Sequence, residues 1–207
     1  MSALAAVATA WLARVASGPT VTFGPDGPPA RQSVFFANHQ SHLDFMVIWS
    51  VLVPDFRDRT RPIAAKEYWT ANALRRYLSV DVFHAVLVDR ERPSLSALRG
   101  ELDVLLAALD AGDSLIIFPE GTRGSGDRIA PFKGGIDFLA RERPAIDLVP
   151  VHLSNLERIM PKGEFLPVPQ LSSITFGAPI HRRADESKTD FLARARQAVI
   201  ELEPKQP

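Results

Sequence analysis

The sequence predicts a single α/β domain in which a mixed, mostly parallel sheet is flanked by helices. Short apolar runs alternate along the chain with longer segments whose apolar residues recur every three or four positions. The runs suit strands that are buried on both faces, and the longer segments have the pattern of amphipathic helices. Their alternation is typical of parallel strands connected by helical crossovers. The length of 207 residues fits one compact domain.

Strands are predicted where an apolar run is bounded by turn-forming or polar residues. Six segments meet this description: 33–37, 62–65, 85–88, 114–118, 147–153 and 173–176. The run SLIIF at 114–118 is the clearest of them. Residues 18–31 contain three Gly and four Pro and are predicted to form a turn-rich connector before the first strand.

Helices are predicted where apolar residues keep to one side or where an apolar segment is stopped by proline. The segments are 43–53, 68–78, 94–111, 132–143 and 188–202. The helix at 94–111 has the strongest pattern, because its leucines form one stripe and Gly112 follows its last turn. Pro54 is expected to end the helix at 43–53.

Residues 1–17 are predicted to form an N-terminal amphipathic helix, and residues 18–207 the main domain. Leu4, Val7, Trp11 and Val15 are spaced three or four apart and so share one helix face. The helix could pack on the domain or lie at a lipid interface, and the sequence leaves both alternatives open. The segment lacks the basic start of a signal peptide, and no part of the chain has the ~18 uninterrupted apolar residues of a membrane-spanning helix.

Charge and composition exclude several classes of function. Twenty-four Lys and Arg balance twenty-four Asp and Glu, so the chain has no global basic field and no nucleic-acid partner is expected. The absence of Cys excludes disulfides, thiolate metal sites and a Cys nucleophile. The spacing of His39, His42 and Asp44 does not match a zinc-protease site, so no metal is expected.

The first informative stretch, ANHQSHLDF, begins at Ala37, where a predicted strand ends and a predicted helix begins. Open α/β sheets place their ligands at such junctions. If His39 lies in the loop and Asp44 in the first helical turn, the carboxylate can fix the imidazole tautomer and stabilise the imidazolium. The alternative is structural: Asn38 or Ser41 caps the helix, and His39 has no chemical role.

The second stretch, FPEGTRG, leaves the clearest predicted strand at Phe118. Gly121 provides backbone freedom, Thr122 a hydroxyl, and Arg123 a planar guanidinium that matches a phosphate. Glu120 could hold that arginine or meet a polar group of a substrate. The structural alternative is a surface turn with a local Glu–Arg pair.

Together, the NHxxxxD stretch and the EGTR stretch resemble the phospholipid and glycerol acyltransferase family, which includes the 1-acyl-glycerol-3-phosphate acyltransferases. Two weaker blocks in the same order resemble the family as well, VLVDR ending at Arg90 and LVPV beginning at Leu148. AKE at 65–67 and PFKG at 131–134 also match its pattern. The resemblance runs from about residue 34 to residue 179.

The resemblance implies an O-acyltransferase in which His39 is the general base and Asp44 orients it. A hydroxyl of 1-acyl-glycerol-3-phosphate or a similar lyso-lipid would attack the thioester of acyl-CoA or acyl carrier protein, with no further cofactor. The acceptor's phosphate would be held by residues of the second motif and by cations from the weaker blocks: Glu120, Gly121, Thr122, Arg123, Lys66, Arg90 and Lys133. The protein is then expected to be peripheral, on the cytoplasmic side of a membrane.

Several alternatives remain open at this point. His42 could replace His39 as the base. The acceptor could be another lyso-aminolipid, and the chain could be a thioester hydrolase or a non-catalytic module that binds lipid head groups. The excess of nine basic over five acidic residues in 57–99 is either solvated charge or a basic rim for anionic head groups.

Overall fold

A computed structural model describes residues 2–25, 27–41, 43–89, 95–124, 128–156 and 171–204. It contains one sheet of seven strands, β1 to β7 in chain order. Their bounds are Thr20–Thr22, Ser33–Ala37, Thr60–Ala65, Val86–Val88, Ser114–Ile117, Asp147–Ser154 and Ser173–Phe176. Eight α-helices, α1 to α8, lie in the described part of the chain: Ser2–Ser17, Asp44–Val51, Pro54–Arg57, Lys66–Trp69, Ala73–Tyr77, Leu95–Asp110, Gly135–Glu142 and Lys188–Ile200.

The strand order is β1-β7-β6-β2-β5-β3-β4, and only the β6–β7 pair is antiparallel. This confirms the predicted α/β domain with a mostly parallel mixed sheet. Strands β2, β5 and β3 are parallel neighbours at the centre, so the segments that leave their carboxyl ends meet at one edge of the sheet. Both predicted chemical motifs leave this edge, one after β2 and the other after β5.

The two faces of the sheet are covered by different helices. On β2 the side chains of Phe35 and Ala37 join one core cluster, and those of Val34 and Phe36 join the other. This follows from the alternation of side chains along a strand. The first cluster lies beneath α1, α2 and α4, and the second beneath α6, α7 and α8. Strand β2 thus contributes to both cores, and Asn38 follows its last residue, Ala37, at the sheet edge.

Two expectations about the elements are wrong. The connector at 18–31 contains strand β1, which pairs in parallel with β7 from Thr20 to Thr22. The single helix expected at 68–78 is instead two short helices, α4 and α5, followed by a π-helical turn at Leu78–Val82. The break occurs at Asn72, which has an extended backbone and accepts a hydrogen bond from the Arg75 amide as the N-cap of α5.

Helix α1 packs against α2 and contacts the π-helical turn. Its inward residues are small, Ala6, Ala10, Ala13 and Ser17, and its large apolar residues face outward. Arg14 fixes the helix by donating from Nε to the Ser50 carbonyl at 2.7 Å. The helix therefore packs on the domain through its small residues, as one alternative had it, and leaves the face of Leu4, Val7, Trp11 and Val15 exposed. None of the described helices is long and apolar enough to cross a bilayer.

Candidate active site

Asn38 fixes the loop after β2 to the neighbouring strand β6. Its buried side chain donates from Nδ2 to the Leu153 carbonyl at 2.9 Å and accepts at Oδ1 from the Leu153 amide at 2.8 Å. The side-chain amide thus makes the pair of hydrogen bonds with β6 that a backbone residue of a neighbouring strand would make. Helix α2 has Leu43 as its N-cap and no side-chain cap bond, so the alternative in which Asn38 or Ser41 caps this helix is wrong. Asn38 instead positions the residue that follows it, His39.

His39 and Asp44 form a hydrogen-bonded pair at the start of α2. Nδ1 of His39 lies 2.8 Å from Oδ2 of Asp44. The same oxygen accepts from the amides of Gln40 at 2.6 Å and Ser41 at 2.9 Å. Asp44 is fully buried, and three converging donors fix its carboxylate. Because a carboxylate only accepts hydrogen bonds, the imidazole proton belongs on Nδ1, and Nε2 carries the lone pair.

The imidazole of His39 is also held by an aromatic contact. Its ring stacks on Phe118, with centroids 4.3 Å apart and planes inclined by 18°. Phe118 directly follows β5, so the second motif supports the base supplied by the first. Only 12% of the His39 side chain is exposed. These contacts restrict the ring to one orientation.

Glu120 connects the two motif loops through the backbone. Its buried carboxylate accepts from the His39 amide at Oε1, at 2.7 Å, and from the Ala130 amide at Oε2, at 2.8 Å. The Gly124 amide in turn donates to the His39 carbonyl at 2.9 Å. Glu120 does not form the local ion pair with Arg123 that the structural alternative required. Its contacts position the His39 backbone, and a substrate could bond Glu120 only by sharing or displacing them.

A cavity of about 180 Å³ contains both His39 and Arg123. The two residues come from separate motifs, yet they line the same space. Much of the remaining wall is apolar, and it is formed by Phe45, Ile63, Ala64, Ala65, Tyr68, Trp69 and Phe118, together with Glu67. A larger cavity of about 770 Å³ beside Ser154 and Glu201 contains neither His39 nor Arg123. The smaller cavity can therefore present a substrate to the base.

The other predicted binding residues lie around this cavity or outside the described chain. Gly121 has a positive φ of 74°, and a Cβ there would come within 2.5 Å of Lys133 Nζ, so the glycine makes room for this cation. Thr122 and Lys66 are exposed, and Lys66 begins α4, whose next three residues line the cavity. Arg90 and the alternative base His42 lie outside the described residues.

Sequence reasoning did not identify the wall that faces His39 and Arg123. Glu67, Tyr68 and Trp69 belong to α4, and Phe45 belongs to α2. The local pattern places Tyr68 and Trp69 in one predicted helix at 68–78 and does not mark them as cavity residues. The signal for their position is that AKE follows the carboxyl end of β3, which lies beside β5 in the sheet. That pairing is a long-range contact, so the local pattern does not reveal it.

Comparison with known proteins identifies the family. The model of a protein family described as Acyltransferase matches residues 20–154. A 1-acyl-sn-glycerol-3-phosphate acyltransferase of Limnanthes alba is 28% identical over 152 residues, which are 73% of this chain and 51% of that protein. The alpha form from Mus musculus is 32% identical over 139 residues, 66% of this chain and 45% of that protein. The chain thus spans about half the length of these curated relatives.

A solved structure gives the same fold. The crystal structure of the 1-acyl-sn-glycerophosphate acyltransferase PlsC from Thermotoga maritima superposes with a TM-score of 0.73 at 20% identity, covering 99% of this chain and 80% of that chain. The family match includes both motif loops and all the strands that support them. From the matched residues and the arrangement of the two loops, the chain is a member of the acyltransferase family.

Proposed function

We propose that this chain transfers a fatty acyl group from acyl-CoA or acyl carrier protein to the free hydroxyl of 1-acyl-glycerol-3-phosphate or a similar lysophospholipid. The observation that carries the proposal is the shared cavity, which is lined by Arg123 and by His39, the histidine bonded to Asp44. A base alone would suit many reactions. The added cation suits an acceptor that carries a phosphate. The names of the relatives support the same acceptor.

In the proposed reaction, His39 Nε2 removes the proton from the acceptor hydroxyl as its oxygen attacks the thioester carbonyl carbon. The tetrahedral intermediate then expels the thiol of the carrier, which takes the proton back from the imidazolium. A C–O ester bond forms, the C–S bond breaks, and no acyl-enzyme is required. Asp44 stabilises the imidazolium through Nδ1, since their atoms are 2.8 Å apart.

Arg123 is proposed to bind the acceptor's phosphate through its planar group of N–H donors. Lys133 is proposed as a second cation for the phosphate. Its Nζ lies next to Gly121, which precedes Arg123 by two residues in the second motif. Lys66, Thr122 and Arg90 are proposed to add donors around them. The aromatic part of the cavity wall, Phe45 and Trp69 among others, offers apolar contact to the lipid portion of a substrate.

The outer face of α1 is proposed to hold the protein on the cytoplasmic surface of a membrane. Leu4, Val7, Trp11 and Val15 are each more than half exposed, with Leu12 beside them. Large apolar side chains in water lose the free energy that burial would provide, roughly 1.5–3 kcal/mol for each fully buried side chain. An interfacial helix recovers part of it by burying one face in the headgroup region.

The test is to incubate the purified chain with labelled acyl-CoA and a panel of lyso-lipids, then identify the products by mass. A diacyl product that requires a phosphate-bearing acceptor is expected, and monoacylglycerol, which lacks the phosphate, is the matched control. Free fatty acid formed without any acceptor would instead indicate a thioester hydrolase. Lipid binding without turnover would indicate a non-catalytic module.

A further inference from the structure

Residues 73–82, here called the rim segment, expose apolar side chains and follow α4, three residues of which line the cavity. The segment consists of α5 and the π-helical turn. Leu74 is 67% exposed, Tyr77 39% and Val80 44%, and no residue of α5 is buried. Spacing of three places side chains next to one another on a helical surface. Single exposed apolar residues are ordinary, but an adjacent set of three marks a candidate interaction surface.

The rim segment also carries unneutralised positive charge. Arg75 and Arg76 are adjacent in α5, and Asp81 is the one carboxylate within the segment. The guanidinium of Arg75 lies over the Tyr68 ring, 4.1 Å from its centroid. Among the described residues, neither arginine forms an ion pair with a carboxylate. Cations beside exposed apolar groups are the combination that binds anionic lipid surfaces.

The position of the rim segment connects two surfaces already described. Tyr68, which contacts Arg75, lines the cavity that contains His39 and Arg123. The π-helical turn contacts α1, whose outer face is apolar and exposed. The rim segment therefore contacts both the helix with the exposed apolar face and one residue of the cavity wall.

We infer that the rim segment is a second lipid-contacting element, which inserts Leu74, Tyr77 and Val80 into the interface of an anionic bilayer beside the cavity. Arg75 and Arg76 would then lie at the level of the lipid phosphates. A lyso-lipid could pass from the bilayer to His39 without crossing water with its acyl chain exposed. This inference deepens the proposed function and rests on its lipid acceptor.

Two paired variants test the inference by co-sedimentation with vesicles of phosphatidylcholine, with and without phosphatidylglycerol. Leu74→Ser with Val80→Ser should weaken binding to both kinds of vesicle, because it removes apolar contact. Arg75→Gln with Arg76→Gln should weaken binding to the anionic vesicles by roughly tenfold or more and leave binding to neutral vesicles nearly unchanged. Val104→Ser is the matched control, because Val104 is 52% exposed on α6, which covers the opposite face of the sheet.

Activity provides the second measurement. The Leu74 and Val80 variant should lose acyl transfer to an acceptor embedded in vesicles and keep wild-type activity on a short-chain acceptor dissolved as monomers. Vesicle binding equal to that of wild type in both paired variants overturns the inference. So does a change in oligomeric state by light scattering with lipid binding unaltered, because the segment would then contact a second copy. If the wild-type chain transfers no acyl group, the proposed function fails, and the vesicle measurements still decide the role of the rim segment.

Discussion

The loop between β2 and α2 and the outer face of α1 use their side chains in opposite ways. In the loop, the polar groups of Asn38 and Asp44 are buried and bonded to backbone groups, and Glu120 bonds the loop from the other motif. On α1, small residues face inward and large apolar residues face water. Buried polar contacts fix geometry that chemistry needs, whereas exposed apolar groups contribute little to the folded state and remain available to another surface. Substitutions in the loop should therefore lower turnover or stability, and substitutions on the outer face of α1 should lower binding to membranes.

The largest effect is expected from removal of the base. His39→Ala should lower acyl transfer about a hundredfold or more, the usual contribution of a general base, while the fold is retained. Steady-state rates measure the loss of acyl transfer, and a circular dichroism spectrum shows whether the fold is retained. His84→Ala is the control, because His84 is exposed and does not line the cavity. Near-normal turnover in His39→Ala would exclude the proposed mechanism.

The next effect concerns the phosphate of the acceptor. Lysine keeps the charge of Arg123 and loses the two parallel hydrogen bonds of its planar group. Arg123→Lys should weaken acceptor affinity roughly 10–150-fold, since a hydrogen bond to a charged group contributes about 1.5–3 kcal/mol. Kinetics with each substrate varied in turn measure the change. If donor affinity falls and acceptor affinity is unchanged, Arg123 binds the carrier instead.

Replacement of Glu120 tests whether the connection between the loops controls the base. In Glu120→Gln one carboxylate oxygen becomes an NH₂ group, which faces a backbone N–H and cannot accept from it. A buried donor left unpaired costs about 1–3 kcal/mol, so the free energy of unfolding and kcat should both fall, with the acceptor KM nearly unchanged. Denaturant unfolding and kinetics are the measurements. A selective rise in acceptor KM would show that Glu120 acts on the substrate.

Substitutions on α1 test the other region. Trp11→Ser with Val15→Ser should reduce vesicle binding and change the free energy of unfolding by only about 0.5 kcal/mol, because both side chains are already exposed. Ala10→Leu on the inward face should cost about 1–3 kcal/mol by overpacking against α2. Thermal unfolding and vesicle co-sedimentation distinguish the two. Loss of stability in the double serine variant would contradict the exposure of this face.

The smallest expected effect is a dependence of the protein's stability on pH, which arises from a buried histidine. Burial lowers the pKa of His152 from its ordinary value of 6.5. The unfolded chain therefore takes up this proton at a higher pH than the folded chain, and stability should fall as the pH drops below 6.5. His152→Gln should reduce this fall, which thermal unfolding from pH 7.5 to 5 would measure. An unchanged slope would mean that other groups dominate.

Local sequence patterns were sufficient for most of the sheet and for the two motif loops. The run at 33–37 coincides with β2, which is buried along its whole length, and the run at 173–176 coincides with β7, where buried Ile174 and Phe176 alternate with half-buried Ser173 and Thr175. The patterns failed where a long-range contact decides the structure. Strand β1 exists because β7 pairs with it. Glu120 follows β5 and bonds the His39 amide, which follows the neighbouring strand β2. Neither partner can be identified from the residues next to it.

The outward face of α1 has a spectroscopic consequence. The chain has three tryptophans, and Trp49 and Trp69 are 2% and 8% exposed while Trp11 is 62% exposed. Emission from Trp11 should lie at longer wavelength than emission from the two buried indoles, and an aqueous quencher such as iodide should reach it first. Contact with lipid would shift that component to shorter wavelength and shield it from iodide. The chain thus contains its own fluorescent reporter of the surface on which α1 lies.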